Sequence, residues 1–355
     1  MLKYFDDDKD AAFLSHLKLI SPGTPLREGI DSMLQGRTGG LIVIGDSQDI
    51  IELIEGGFQI DCEFEPARLY ELAKMDGAMV ISSDLKRICY ANVFLKPNTS
   101  IPTGETGMRH QAAERFAKQT GKIVLAISQR RNTLTMFWGS RKYVIRELTT
   151  LISGANQTLL LLDRYMAALK ISLAVLNRAE ISNTVNLSEV VSAIQHTEMV
   201  RRTEIELNKY LIELGSEGQS LQFRNPELTS ELKEGILVIK DYYIGREENE
   251  AEVYERIFKF SAPSFSESGN ISAALGYPRD ISSYDTILIP RGYRMLSRIS
   301  RLPMSVIENL VTKFNNLQAI LDATIEELQE VEGVGGVRAA MIKGELAEMT
   351  FQKYV

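Results

Sequence analysis

Over the first 148 positions the apolar residues come in short unbroken runs, separated by stretches with helical spacing. Leu41-Ile42-Val43-Ile44, flanked by Gly39-Gly40 and Gly45, reads as a strand buried on both faces. Ala78-Met79-Val80-Ile81 and Arg87-Ile88-Cys89-Tyr90-Ala91 read as two more. Residues 122–127 and 134–138 read as a strand pair whose turn holds Arg130-Arg131-Asn132. Between them residues 67–74 have helical spacing, with Pro66 suited to the first turn, and 105–119 predicts a second helix stopped by Gly121. The pattern predicts an α/β N-terminal domain over 1–148, with a mixed β-sheet flanked by helices.

From residue 149 the pattern changes. No proline occurs between Leu151 and Asn225, and Leu159, Leu162, Met166, Leu169, Leu173 and Leu176 trace one face of a long amphipathic helix. Residues 190–214 and 228–243 read the same way. Such a stripe is core or helix-partner packing, and its spacing does not separate partners in the same chain from partners in another copy. An α-helical linker or spine is expected over 149–288, with a loop or linker marked by Pro263, Gly269, Gly276 and Pro278. Residues 289–355 predict a third domain of short helices. Thr324-Ile325-Glu326-Glu327 has the form of a capping box, and the helix it opens ends near Val331.

With 355 residues the chain is too long for one ordinary compact domain. A net charge of −7 excludes a surface that coats nucleic acid by bulk charge, so any such contact must be local. Cys62 and Cys89 make neither a disulfide framework nor a metal cluster, and both read as small buried thiols in strands. Residues 1–8 lack the charged and apolar regions of a signal peptide, and no apolar run approaches the ~20 residues of a membrane span. The expectation is a cytoplasmic protein with no membrane partner.

Leu328, Val331, Gly333-Val334-Gly335 and Ala339 have the spacing of a helix-hairpin-helix motif. Two glycines let the turn run tight. Its backbone N–H groups, with the N-terminus of a helix opening near Gly336 and Val337, form an anion site for a DNA phosphate. Arg338 and Lys343 add candidate charge contacts. Such contacts position without reading sequence. The same turn is also consistent with plain connectivity. Arg301-Leu302-Pro303, followed by helical stretches at 305–314 and 317–321, looks like a degenerate first half of a paired motif. Residues 291–355 hold eight Lys/Arg and eight Asp/Glu, so no broad basic face is expected.

In the N-terminal domain, Lys74-Met75-Asp76-Gly77-Ala78 places a carboxylate at a helix-to-strand junction, where it could hold a divalent metal or orient a hydroxyl. An Asp-Gly pair is equally an ordinary turn. Gly104-Glu105-Thr106-Gly107-Met108-Arg109-His110-Gln111-Ala112-Ala113-Glu114-Arg115 sets glycines before a helix whose start carries Arg and His, a phosphate cradle of amides and guanidinium. The alternative is a surface Arg109 and a core His110. Ser128-Gln129-Arg130-Arg131 ends a strand with a hydroxyl and two guanidiniums, suited to a triphosphate tail or to solvent alone.

The Asp76-Gly77-Ala78 and Arg109-His110 motifs, with the stretches at 20–27, 117–121, 290–294 and 331–335, resemble the diadenylate cyclase domain family in its soluble branch that carries a helical spine and a helix-hairpin-helix domain. The resemblance implies that two cyclase domains face each other, each holding one ATP, and that each 3′-hydroxyl attacks the other's α-phosphate to give cyclic di-AMP. It implies Asp76 as the metal-binding, hydroxyl-activating residue, with Mg²⁺ or Mn²⁺. It also implies Arg109 and His110 at the phosphates, with Gly77, Leu95, Met108, Gln111, Ala112, Ser128 and Arg130 around the nucleotide. A homo-octamer joined through its cyclase domains, binding to branched or recombination-intermediate DNA without sequence preference, and a nucleoid-associated location come with it. The third position of the Arg-His-Arg motif is Gln111, which removes a charge. The alternative reading is therefore a DNA-binding scaffold that binds ATP but cyclises it weakly.

Overall fold

The structure, a computed structural model, describes residues 8–221, 226–244, 250–280 and 285–351. The N-terminal segment read above for a signal peptide lies almost wholly outside them. The chain forms two compact units, one of residues 1–157 with 207–222, the other of 158–206 with 223–355.

The first unit is built on α1 (Asp8–Leu19), α2 (Pro25–Gln35), β1 (Gly40–Ile44), α3 (Gln48–Ile51), β2 (Ile54–Glu55), β3 (Phe58–Glu63), α4 (Pro66–Leu72), β4 (Ala78–Ile81), β5 (Arg87–Leu95), α5 (Met108–Thr120), β6 (Ile123–Ser128), β7 (Thr133–Trp138) and β8 (Arg141–Val144). The strands make one eight-stranded sheet in the order β2-β5-β4-β1-β6-β7-β8, with β3 also on β5. The β1–β4 pair is parallel and the others are antiparallel, so the sheet is mixed. Every β1 residue is buried. Ile42 and Ile44 face α1, α2 and α4, through Leu17, Ile30, Met33 and Leu69, whereas Leu41 and Val43 face α5, through Ala113, Phe116 and Ala117. This two-sided burial is why the strand reads as an unbroken apolar run.

The predicted helix at 105–119 starts later, at Met108, because 104–107 stays in a loop up to an extended Gly107. Pairing with β4 and β2 carries β5 on to Leu95, beyond the predicted Ala91. The sequence reading missed α2, although Thr24-Pro25 marked it: the Thr24 hydroxyl accepts from the Arg27 N–H at 3.3 Å and Pro25 takes the first turn. The end of this unit's chain returns at 207–222, where buried Glu213 accepts from the Tyr143 hydroxyl at 2.7 Å and from Arg146 at 2.6 Å.

The long helices α6 (Leu148–Ser182) and α7 (Leu187–Leu214) contribute to both units. The second unit adds α8 (Pro226–Tyr242), α9 (Glu250–Lys259), α10 (Ala262–Ser266), α11 (Ser268–Ala274), α12 (Tyr293–Ser297), α13 (Met304–Phe314), α14 (Leu317–Asp322), α15 (Ile325–Gln329) and α16 (Gly336–Phe351). The region read as loop or linker at 261–290 thus includes two short helices. The capping box at Thr324 forms as its residues require, with Thr324 and Glu327 exchanging backbone-to-side-chain bonds. Helices α12 and α13 recur as α15 and α16 at an offset of 32 residues, with α14 between the two pairs: buried Leu296, Ile299, Ile307 and Leu310 recur as Leu328, Val331, Ala339 and Ile342. Arg301 and Gly333 take the same left-handed place in the two turns, at φ 58° and 85°. Among the described residues no helix is long and apolar enough to cross a membrane.

Candidate active site

Topology gathers the chemistry-bearing residues at one end of the sheet. Leu41 pairs with Ala78 in the parallel β1–β4 ladder, so Gly39 and Asp76-Gly77 both stand just ahead of their strands. Gly40 pairs with Ile127 on antiparallel β6, which brings Ser128 to the same end.

Asp76 follows α4, and its side chain is 87% exposed. Gly77 lets the chain enter β4 there. Its φ is 154°, and a Cβ would lie 2.8 Å from the backbone of Asn92. Asn92 itself is left-handed, at φ 56°, in a bulge where Ala78–Val80 of β4 opposes Val93–Tyr90 of β5. The bulge and the glycine together set the direction in which Asp76 leaves the sheet.

Arg109, in the first turn of α5, donates from Nη2 to Asp76 Oδ1 at 2.7 Å, across 33 residues of sequence. Its guanidinium lies over Gly39, where a Cβ would sit 2.5 Å from Arg109 Nη1 and 3.2 Å from Gln129 Cβ. Gly39 and Gln129 are thus neighbours of the site, a role their motifs do not give them: Gly39 reads only as a flank of β1, and Gln129 only as part of the Ser128–Arg131 strand end. His110 is half-buried with its ring edge-on to Phe137, and burial pushes its pKa below the ordinary histidine value. Its imidazole stands in the first turn of α5, directly after Arg109.

Gln111 points elsewhere. Its amide donates to the Glu105 carbonyl at 2.8 Å, and the Glu105 carboxylate pairs with Lys142 of β8. Further along the same face, Glu114 accepts from Thr103 and Gly104, Arg115 donates to the Ile101 carbonyl and Lys118 to that of Pro102. Met108 is exposed, Ala112 half-buried, and Leu95 packs part-buried against the core beneath α5. The Ser128 hydroxyl accepts from the Arg131 N–H at 3.2 Å, and Arg130 is exposed in the turn beyond. Asp76, Gly77 and Arg109 are therefore in one cluster with His110 beside it. Ser128 and Arg130 share the sheet end, and Gln111 is engaged with the loop.

As for a metal, Asp76 offers a hard, exposed carboxylate, and among the described residues no group of three or more His, Cys, Asp or Glu side chains is gathered to make a cage. One carboxylate fits Mg²⁺ or Mn²⁺ of the kind that takes its remaining ligands from nucleotide phosphates and water.

In the second unit, the hairpin between α15 and α16 turns at Gly333, with Val334 buried beneath it. Gly335 has open space where a Cβ would be, Gly336 opens α16, and Val337 is 90% exposed. Arg338 donates back to the Gly333 carbonyl. Lys343 donates to the carbonyls of Leu321 and Ala323 at 2.5 and 2.6 Å, closing the end of α14.

Two family models match. One, described as the DisA bacterial checkpoint controller nucleotide-binding region, spans residues 27–141 and takes in the whole cluster; the other, the DisA linker region, spans 145–284. The DNA integrity scanning protein DisA of Acetivibrio thermocellus is 46% identical over 95% of this chain and 94% of its own. Those of Carboxydothermus hydrogenoformans and Clostridium botulinum strain Loch Maree are 46% and 45% identical over 97% of this chain and 98% of theirs. Among solved structures, DacA from Staphylococcus aureus matches at 21% identity over 39% of this chain, with a TM-score of 0.30. With both regions matched in order and relatives alike along nearly their whole length, the chain belongs to the DisA family.

Proposed function

We propose that this protein is a diadenylate cyclase, joining two ATP into cyclic di-AMP and two pyrophosphates, and that its C-terminal hairpins bind branched DNA. The observation that carries the reading is the meeting of Asp76 and Arg109 at 2.7 Å, beside the first turn of α5. A carboxylate and a guanidinium at a helix N-terminus suit a polyphosphate and the hydroxyl that attacks it.

Phosphoryl transfer depends on charge neutralisation and in-line positioning more than on covalent help. Each ATP 3′-hydroxyl forms a bond to the α-phosphorus of the facing ATP, loses its proton and displaces pyrophosphate. Two such steps close the ring. One pocket holds only half of the reactants, so facing pockets are part of the reaction, and an octamer of two tetramers is the assembly that supplies them. Arg109 holds phosphate oxygens, His110 adds a hydrogen bond, and Gly77 lets the nucleotide approach the backbone. Leu95, Met108 and Ala112 flank it, with Ser128 and Arg130 toward the triphosphate tail. Asp76 would hold a Mg²⁺ or Mn²⁺, which when bound neutralises phosphate charge and acidifies the hydroxyl.

In this reading residues 1–148 carry the cyclase, 149–288 the spine and 289–355 the DNA module. Gly333, Val334, Gly335 and Gly336 present amides to phosphate, and Arg338 supports the turn. Lys343, which closes α14, supports the module rather than touching DNA. DNA engagement restrains turnover. Incubation of the full-length chain with ATP and either metal tests the reading: cyclic di-AMP appears and falls off steeply on dilution below the assembly concentration. Absence of product from a folded assembly with both metals would overturn it.

A second reading draws on Gln111, whose amide is bonded to a loop carbonyl and brings no charge to the phosphates. It makes the protein an ATP-binding scaffold with a slow cyclase. It predicts that Gln111→Arg raises the rate ~10²–10³-fold, the value of one charged transition-state contact.

A further inference from the structure

Residue 111 stands at the third position of the motif, yet its side chain begins a different structure. Positions 111, 114, 115 and 118 fall on one stripe of α5, and each engages the loop that leads into the helix. Gln111 takes the gripped position closest in sequence to α5, the Glu105 carbonyl. Glu105 is held a second time through its carboxylate, 13% exposed, by Lys142 of β8. Gly107, the N-cap of α5, makes no side-chain cap. The entry of the helix is therefore fixed by what grips 101–105, and Arg109 follows two residues after that uncapped glycine.

We infer that Gln111 is a positioning residue: acting through Glu105, it orders the loop ahead of α5 so that Arg109 and His110 meet the nucleotide, and it does not contact the polyphosphate. The kinetic consequence rests on the cyclase reading; the loop-ordering role does not. An unordered loop lowers the fraction of molecules competent to bind, which weakens apparent affinity in proportion and leaves the bound complex unchanged. What position 111 must supply is an N–H donor, not a charge.

Two variants of the full-length chain test this. Gln111→Glu keeps the size and removes the donor; Gln111→Arg keeps a donor and adds a charge. The measurements are kcat and KM for ATP with Mg²⁺, affinity for a non-hydrolysable ATP analogue, and amide hydrogen exchange across 98–107. Gln111→Glu is expected to raise KM and the analogue's Kd about tenfold, the scale of one lost hydrogen bond, and to speed exchange in the loop, with kcat changed less than about twofold. Gln111→Arg is expected to stay within about threefold of the parent in every quantity. The inference is overturned if Gln111→Glu leaves loop exchange and affinity unchanged, or if Gln111→Arg raises kcat by about 100-fold. Should the parent form no cyclic di-AMP at all, the cyclase reading fails, while exchange and analogue binding still decide the role of Gln111.

Discussion

Glu180 Oε2 and Arg294 Nη2 lie 2.5 Å apart, and both side chains are 0% exposed. The pair joins α6 to α12 inside the second unit. Glu180 also accepts from the Tyr242 hydroxyl at 2.9 Å, and Asp241 accepts the N–H groups of Gly292, Tyr293 and Arg294. Removing one member of an enclosed ion pair leaves the other charge buried without compensation, at ~3–5 kcal/mol. Arg294→Met is expected to lose about that much in urea unfolding. Adding Glu180→Gln should recover part of it. This enclosure also bears on how the DNA module is tested. Truncation from residue 291 onward would strip Arg294 from Glu180 and damage the spine, so point changes at the hairpin are the better probes.

Gly335 offers such a probe, with nothing within 4 Å of where a Cβ would stand. Gly335→Glu should fold normally and set a negative charge at the turn amides. Affinity for a branched DNA junction at ~0.1 M salt should fall about tenfold or more, with basal cyclase activity unchanged. Fluorescence anisotropy with labelled junction DNA checks this.

Gly77 answers to two demands at once, a φ of 154° and contact with Asn92. Gly77→Ala should cost ~1–3 kcal/mol from the strained backbone conformation, displace Asp76, and lower ATP affinity as well as the melting temperature. Calorimetry and ATP-analogue binding on the same sample separate the two effects.

The chain's three histidines, His16, His110 and His196, all have pKa values pushed below the ordinary value by burial. The unfolded chain then binds more protons than the folded one below pH ~6.5, so stability is full above that pH and declines as pH falls toward the folded-state values. Urea midpoints at pH 7.5 and 5.5 should show the loss. Replacing His196, whose Nδ1 lies 2.6 Å from the Ser172 hydroxyl, with Asn should reduce the difference between them.

The sequence revealed these elements unevenly, for physical reasons. Leu41–Ile44 was plain because β1 is buried on both faces, and the capping box at Thr324 because its residues act locally. The start of α5 was misread by three residues because apolar spacing cannot tell a strapped loop from a first turn; what holds 104 and 105 out of the helix is side-chain bonding to Glu114 and Gln111, which hydrophobic periodicity does not record. Asp76 and Arg109 were singled out by type and neighbourhood. Their meeting depends on the parallel β1–β4 ladder and the bulge at Asn92, which no local pattern records. The partnership of Glu213 with Tyr143 and Arg146 spans some 70 residues and left no trace in either segment.

In the proposed reaction Asp76 and Arg109 serve one bound nucleotide. The exposed ion pair between them contributes at most ~1 kcal/mol to stability, so Asp76→Asn should leave the fold intact. The decisive measurement is the rate of cyclic di-AMP formation from ATP with Mg²⁺ or Mn²⁺ by the parent chain and by Asp76→Asn at equal concentration. Product is expected from the parent, and a rate lower by about 10³ from the variant, which still binds the ATP analogue. Equal rates from the two proteins would contradict a role for Asp76 in the reaction.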